Sequence, residues 1–397
     1  MDSCFRRNDG IGIYSIKTNS YIQASNGLLG CGDSYPPVVA PPPVSIFRRL
    51  NRLSVPWHSS RVILVFGLML VQLAACGERA PVPYIEARPL MGTLVEITVE
   101  GPDRPVSQAA SESAFAEMQR LTAMMSHYDP ASVVSAISAQ AGMAPVPVPP
   151  ELFEVLTAAK TLAEHTGGAF DPTIGAIQGW RFDPQQPAAP DAARLAAMAR
   201  KVDFRKLILD RDQQTAYLSA AGMRLDLGGI AKLYILHAGM LRLTMPGISR
   251  AMVNGGGDVE VSSADPKRPW RIGIRDPQNP EAPLATLDLI RGFVVSSGDY
   301  ERAYVKDGRR YHHILDPRTG KPTVGPHQVT LVGEDLQPIN GLSAAVMVLG
   351  RARGLALIQA TAGVEGLIID RDGECWVSPS LRSRLQFSDP GSRPCSH

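Results

Sequence analysis

From residue 203 onward the chain runs through short apolar segments rich in β-branched residues, and helices break in without any regular strand–helix–strand alternation. The segments are 207–209, 215–218, 251–253, 259–261, 270–274, 284–289, 293–296, 311–314, 329–332 and 366–370. Runs of that length and composition suit strands with one or both faces buried. Helical spacing returns after Gly229, over 341–349 and over 352–361. Neighbouring parallel strands need a crossover between them, usually a helix. The irregular order therefore predicts an α+β fold with mixed or antiparallel sheets and packed helices.

The stretch before residue 203 is more helical. Residues 90–100 alternate apolar and polar side chains and read as one strand carrying Met91-Gly92-Thr93. Residues 107–125 place Ala110, Ala114, Met118, Leu121 and Met125 on one helical face after a Ser cap. A second helix, 151–165, follows Pro149-Pro150 and stops at Gly167-Gly168. Asp191 caps a third, running to Arg200.

Of 397 residues 20% are charged, and the formal net charge is +2. So small a charge gives no electrostatic case for nucleic acid. The cysteines at 4, 31, 76, 375 and 395 form no CxxC pair, which argues against a zinc site. Cys375 and Cys395 could pair in an oxidising compartment, and the sequence leaves that open.

Residues 62–75 (VILVFGLMLVQLAA) are apolar and uncharged, and they end at Cys76. The run is short for a membrane span, which takes about 20 residues. It matches the apolar core of a signal peptide, with Arg48, Arg49, Arg52 and Arg61 as the basic flank. Leu73-Ala74-Ala75-Cys76 resembles a bacterial lipobox, whose cysteine is acylated and becomes the mature N-terminus. A buried apolar helix before a chance cysteine is the plainer alternative. The expected layout is an unstructured extension over 1–54, a signal peptide over 55–76, a tether over 77–88, one folded domain over 89–387 and a tail over 388–397. Residues 1–54 fit poorly ahead of a signal peptide, so translation is expected to begin nearer Val44 or Val55.

Several polar, glycine-bearing motifs punctuate the body. In Asp226-Leu-Gly-Gly-Ile-Ala-Lys232 a strand ends, paired glycines follow and a helix starts. Free amides at a helix start, with a lysine one turn in, can cradle an anion. Alone, the pattern is equally a tight turn with a solvated lysine. Asn254-Gly-Gly-Gly-Asp258 lets backbone approach a bulky ligand, or simply makes a loop. Ser296-Ser-Gly-Asp-Tyr300 and His312-His-Ile-Leu-Asp-Pro-Arg-Thr-Gly320 flank a hairpin turn at Lys306-Asp307-Gly308 and group residues able to act as a general base.

In this order and spacing the segments MGT, MSHYDPAS, GGAFDPTIG, DLGGIAK, NGGGDVEV, SSGDYER, HHILDPRTG and VMVLG resemble the ApbE-type flavin transferase family. The resemblance implies an ApbE-like, T-fold-related architecture and an exported, Mg²⁺-dependent FAD:protein FMN transferase. Such an enzyme cleaves FAD and attaches FMN by a phosphoester to a threonine or serine of an acceptor protein. Acceptors of the family are subunits of sodium-translocating quinone reductase and of the Rnf complex. By position, Met91, Tyr128, Ala169, Phe170, Asp171, Asp226, Lys232 and Leu315 are implied FAD contacts, and His313 the base. Gly229, Asn340, Ser343 and Ala344 stand where the family holds Mg²⁺. A lipid on Cys76 would anchor the protein on the periplasmic side of a bacterial membrane, the inner or the outer one.

The metal segment departs from the family pattern. Asn340 replaces an Asp and Ala344 a Thr, which should weaken Mg²⁺ binding. Ser138 replaces an Asn, and His237 stands where the family has Asp. A non-catalytic FAD-binding lipoprotein is therefore the alternative to an active transferase.

Overall fold

Antiparallel pairing builds a nine-stranded sheet in the order β1 (Tyr84–Leu90), β2 (Thr93–Glu100), β6 (Arg250–Gly255), β7 (Asp258–Ser263), β10 (Arg291–Gly298), β13 (Gln328–Gly333), β14 (Val364–Ile369), β15 (Cys375–Val377) and β17 (Cys395–Ser396). Only the last pairing, β15 with β17, is parallel. This computed structural model describes residues 82–244, 247–279, 282–388 and 395–396. The 1–54 extension, the signal-like stretch and Cys76 lie outside them. Three smaller sheets complete the strands: β3 (Val146–Pro147) with β5 (Thr215–Leu218) and β4 (Leu207–Asp210), the hairpin β11 (Ala303–Lys306) and β12 (Arg309–His312), and β16 (Leu385–Phe387) with β9 (Pro283–Leu289) and β8 (Trp270–Arg275). The α+β reading stands.

Helices cover one face of the large sheet. Helix Arg104–Met125 and helix Ala231–Leu243 pack on β2 and β6, burying Phe115, Met118 and Leu121 against Ile97, Val253, Leu236 and Met240. Each such side chain contributes roughly 1.5–3 kcal/mol on burial. The two helices come so close that a Cβ on Gly239 would lie 2.8 Å from the Met118 sulfur. Helix Leu342–Ala360 packs Val346 and Met347 against Val295, Val329 and Leu331, and breaks at Gly350, where φ is 76°. That break corresponds to the gap between the two helices expected there. A separate core joins the β8–β9–β16 sheet to the large one through Trp270, Ile272, Leu287, Val261 and Val332.

Three local expectations need correction. Residues 90–100 are not one strand, because Met91 (φ 54°) and Gly92 (φ 71°) form a two-residue turn between β1 and β2. Two left-handed residues match the twist of a hairpin. β1 itself begins at Tyr84, inside the stretch read as a tether; Glu86, Arg88 and Pro89 disguise it, as suits a sheet edge. The first long helix starts earlier than its apolar spacing, because the Asp103 carboxylate accepts the Val106 amide at 2.8 Å. In the expected tail, Cys395 pairs beside Cys375 and is disulfide-bonded to it, so the pairing the sequence left open is made.

Candidate active site

Met91, Tyr128, Ala169, Phe170, Asp171, Asp226, Gly229, Lys232, His313, Leu315, Asn340, Ser343 and Ala344 all border one cleft of about 600 Å³. Strand ends, hairpin turns and helix starts supply its walls, and the volume suits a ligand of cofactor size. Cys76 lies outside the described residues.

The β1–β2 turn forms one lip. A methionine in the left-handed region costs on the order of 1 kcal/mol, and it puts the Met91 side chain at the cleft instead of in the sheet. On the same cleft, Tyr128 is 79% exposed and its ring lies tilted at 39° against His127, centroids 3.8 Å apart. His127 Nδ1 in turn lies 3.2 Å from Asp226 Oδ1, which also accepts the Gly228 amide at 2.8 Å. Burial works to raise the Asp226 pKa, but the His127 ring, the Gly228 amide and Arg302 outweigh it. The carboxyl is therefore held below its ordinary value. Among the described residues no strand leads into Asp226 as its sequence suggested, only an isolated bridge at Arg224. Ser138 ties the segment down, its Oγ donating to the Val134 carbonyl and accepting the Leu225 amide at 3.1 Å.

The anion cradle expected of the Asp226–Lys232 turn is largely taken up by the turn itself. Gly228 donates to Asp226, and Ile230 and Ala231 donate to the Leu227 carbonyl at 2.9 and 2.7 Å. Lys232 Nζ reaches the cleft but sits 2.6 Å from Asp258 Oδ2. The carboxylate of Asp171 is likewise engaged, accepting Thr173 N and Oγ1 at 2.8 and 2.6 Å and the Phe204 amide at 2.9 Å. Burial raises its pKa. Asp171 thus shapes the loop that carries Ala169 and Phe170 into the cleft.

The two adjacent histidines divide by environment. His312 is fully buried, and its Nε2 donates to the Thr323 carbonyl at 2.9 Å. His313 lines the cleft, its Nδ1 buried without a partner among the described residues. Desolvation, reinforced by Arg302, His312 and Lys232, pushes the His313 pKa well below the ordinary histidine value. Burial thus favours the neutral form of the ring. It hangs from the β11–β12 hairpin, closed by Asp307 (φ 52°) and Gly308 (φ 71°) as its sequence predicts. Asp299 pins that hairpin by accepting from Arg310 at 2.9 Å, and it also accepts from His327 and pairs with Arg371 at 3.2 Å.

The remaining corner is built of neutral oxygens. Asn340 is buried, and its Oδ1 has no partner among the described residues. Ser343 Oγ and Ser297 Oγ are 2.9 Å apart, while Ala344 offers no oxygen. The Gly229 carbonyl lies next to Gly341, 3.3 Å from where a Cβ would stand. A buried orphan acceptor marks a place that a water, an ion or a ligand donor completes.

His127, Asp258, Ser297 and Arg302 also line the cleft and were not singled out, although each lies inside or beside a noted motif. An Asp right after a three-glycine turn was the available signal for Asp258; its pairing with Lys232 is a long-range contact that no local pattern encodes.

Comparison with known proteins agrees with the geometry. A profile of the ApbE family matches residues 91–368. The chain is 34% identical over 345 residues to the FAD:protein FMN transferase of Treponema pallidum, covering 82% of this chain and 95% of that protein. It is similar to the crystal structure of the ApbE protein of Thermotoga maritima, with TM-score 0.70, 30% identity, and 76% and 99% of the two chains covered. The apo Pseudomonas stutzeri flavinyl transferase ApbE gives a TM-score of 0.65 at 27% identity, over 76% and 96%. With that match across most of its length, and its motif residues gathered in one cleft, the chain belongs to the ApbE family.

Proposed function

We propose that the chain is an FAD:protein FMN transferase. The observation that carries this reading is His313, disfavoured from protonation by burial and with its Nδ1 unpaired among the described residues, placed in the same cleft as Lys232 and Arg302. In the reaction an acceptor hydroxyl oxygen bonds to the FMN-side phosphorus of FAD. The bond from that phosphorus to the bridging oxygen breaks, AMP leaves with the oxygen, and the hydroxyl proton passes to His313. A base with so low a pKa is weak in the free protein. Bound pyrophosphate, being anionic, favours the protonated ring and lifts its basicity toward the useful range. The named relatives lend no support to a binding protein without turnover.

The residues at the Mg²⁺ position do not fit that ion. The Gly229 carbonyl, Asn340 Oδ1 and Ser343 hydroxyl are neutral, and position 344 contributes nothing. Mg²⁺ demands near-octahedral oxygen ligation and is usually held through one or two carboxylates. The test of the whole reading is AMP release from FAD in the presence of a hydroxyl-bearing acceptor domain. Release that survives His313→Gln at full rate would remove the base assigned here.

We further propose that the protein works outside the cytoplasm, anchored through Cys76. The lipobox-like sequence and a disulfide between Cys375 and Cys395 both suit an exported chain. A Cys76→Ser chain that still fractionates with membranes would count against the anchor.

A further inference from the structure

The cleft has a charge problem that its expected anion-binding parts do not solve. The carboxylates of Asp171, Asp226, Asp258 and Glu301 outnumber the fixed cations Lys232 and Arg302 along its walls. Lys232 is paired with Asp258, the turn amides at 228, 230 and 231 are bonded within their own turn, and the oxygens at 229, 340 and 343 are uncharged. A pyrophosphate entering such a site needs a cation that is not already neutralised. Arg302 meets that need. Its neighbour Glu301 is taken by Arg275 at 3.1 Å, and among the described residues the Arg302 guanidinium has no ion pair of its own.

We propose that Arg302 is the phosphate clamp of this cleft, binding the pyrophosphate of FAD and stabilising the charge that shifts onto the departing AMP. The proposal rests on the reading of FAD as substrate. Its position supports the role in two ways. The Arg302 carbonyl accepts the His313 amide at 3.1 Å, so the clamp and the base are held in register by one backbone bond. Asp226 and His313 line the same cleft as Arg302, and the field of its guanidinium reaches both and lowers the pKa of each. A guanidinium can engage two phosphate oxygens at once, which an ammonium cannot reproduce.

The experiment compares riboflavin, FMN and FAD binding to the full chain and to Arg302→Gln and Arg302→Lys, by flavin fluorescence. Arg302→Gln is expected to weaken FAD and FMN roughly ten- to hundredfold while leaving riboflavin within about twofold, since only the phosphates lose a partner. Arg302→Lys should fall between, and it serves alone should the Gln variant not fold. FAD affinity equal to that of the wild type in both variants overturns the clamp and leaves the substrate reading intact. An equal loss for riboflavin also overturns it, since the residue then merely supports the fold. A wild-type chain that binds riboflavin but not FAD overturns both.

Discussion

Lys232 Nζ stands 2.6 Å from Asp258 Oδ2, and the Asp258 backbone begins the strand next to β6 across a turn of two left-handed glycines, Gly256 and Gly257. The aspartate side chain is only 8% exposed and the lysine 28%. Removing one partner strands the other's charge. Lys232→Ala should cost about 3 kcal/mol of stability, and Lys232→Ala with Asp258→Ala much less than the sum of the two. Urea unfolding of the three variants measures this. Additive losses would show that the pair is not coupled.

The depressed pKa of His313 fixes the direction of the pH profile. In the free enzyme the ring stays neutral to below the ordinary histidine range, so kcat/KM for FAD should show no acid limb there. With FAD bound, its phosphates raise that pKa, and kcat should fall at a higher pH than kcat/KM does. Rates of AMP release between pH 4 and 8, a span of roughly two units on either side of the histidine value, check both limbs.

Restoring an acid and a hydroxyl to the neutral corner should change the metal response. Asn340→Asp with Ala344→Thr is expected to bring AMP release under Mg²⁺ control and raise it by roughly tenfold or more, since a carboxylate supplies the charge that Mg²⁺ ligation favours. Titration of both proteins with MgCl₂ settles the matter. No gain in the double variant would mean that these positions do not face the reacting phosphates.

His237 offers a stability switch away from the cleft. Its Nδ1 donates to Glu260 Oε1 at 2.9 Å, and that bond raises the histidine pKa above its unfolded value despite partial burial. The stabilisation is therefore fully present below the unfolded histidine pKa, and it is lost as pH rises through the folded one. Thermal midpoints should decline as pH rises past the ordinary histidine value, and His237→Gln should flatten that decline. An unchanged slope in the variant would exclude the pair as its source.

The sequence was most legible where chemistry and chain direction coincide. Asp307-Gly308 and Gly256-Gly257 encode their own turns, and Pro149 with Gly167 bracket a helix that is found at Pro150–His165. β1 was hidden because an edge strand carries the charges and proline that a core strand lacks. The Asp226 turn, open in sequence between an anion cradle and a tight turn, goes to the second reading. Its glycines suggested amides free for an anion, yet the Asp226 side chain and the Leu227 carbonyl accept them first. Arg302 closes the SSGDYER segment but was given no role there, since nothing in that segment says which of its charges is left unpaired. Its role depends on which nearby acids are already paired, and that pairing is made across the fold by Arg275 with Glu301 and Lys232 with Asp258.

The disulfide closes the far side of the large sheet as well as its loop. β17 is the last strand beyond β15, and Cys395 sits opposite Cys375 in the parallel register. At the other end, β1 carries Pro89 and the charged pair Glu86 and Arg88. One border is thus blunted by composition, and the other is covered by a short strand clipped on covalently. In a reducing environment that clip would open and bare the backbone of β15 to any chain able to pair with it. A preparation made in reducing cytoplasm should therefore differ from an exported one in its tendency to self-associate, with the cleft untouched.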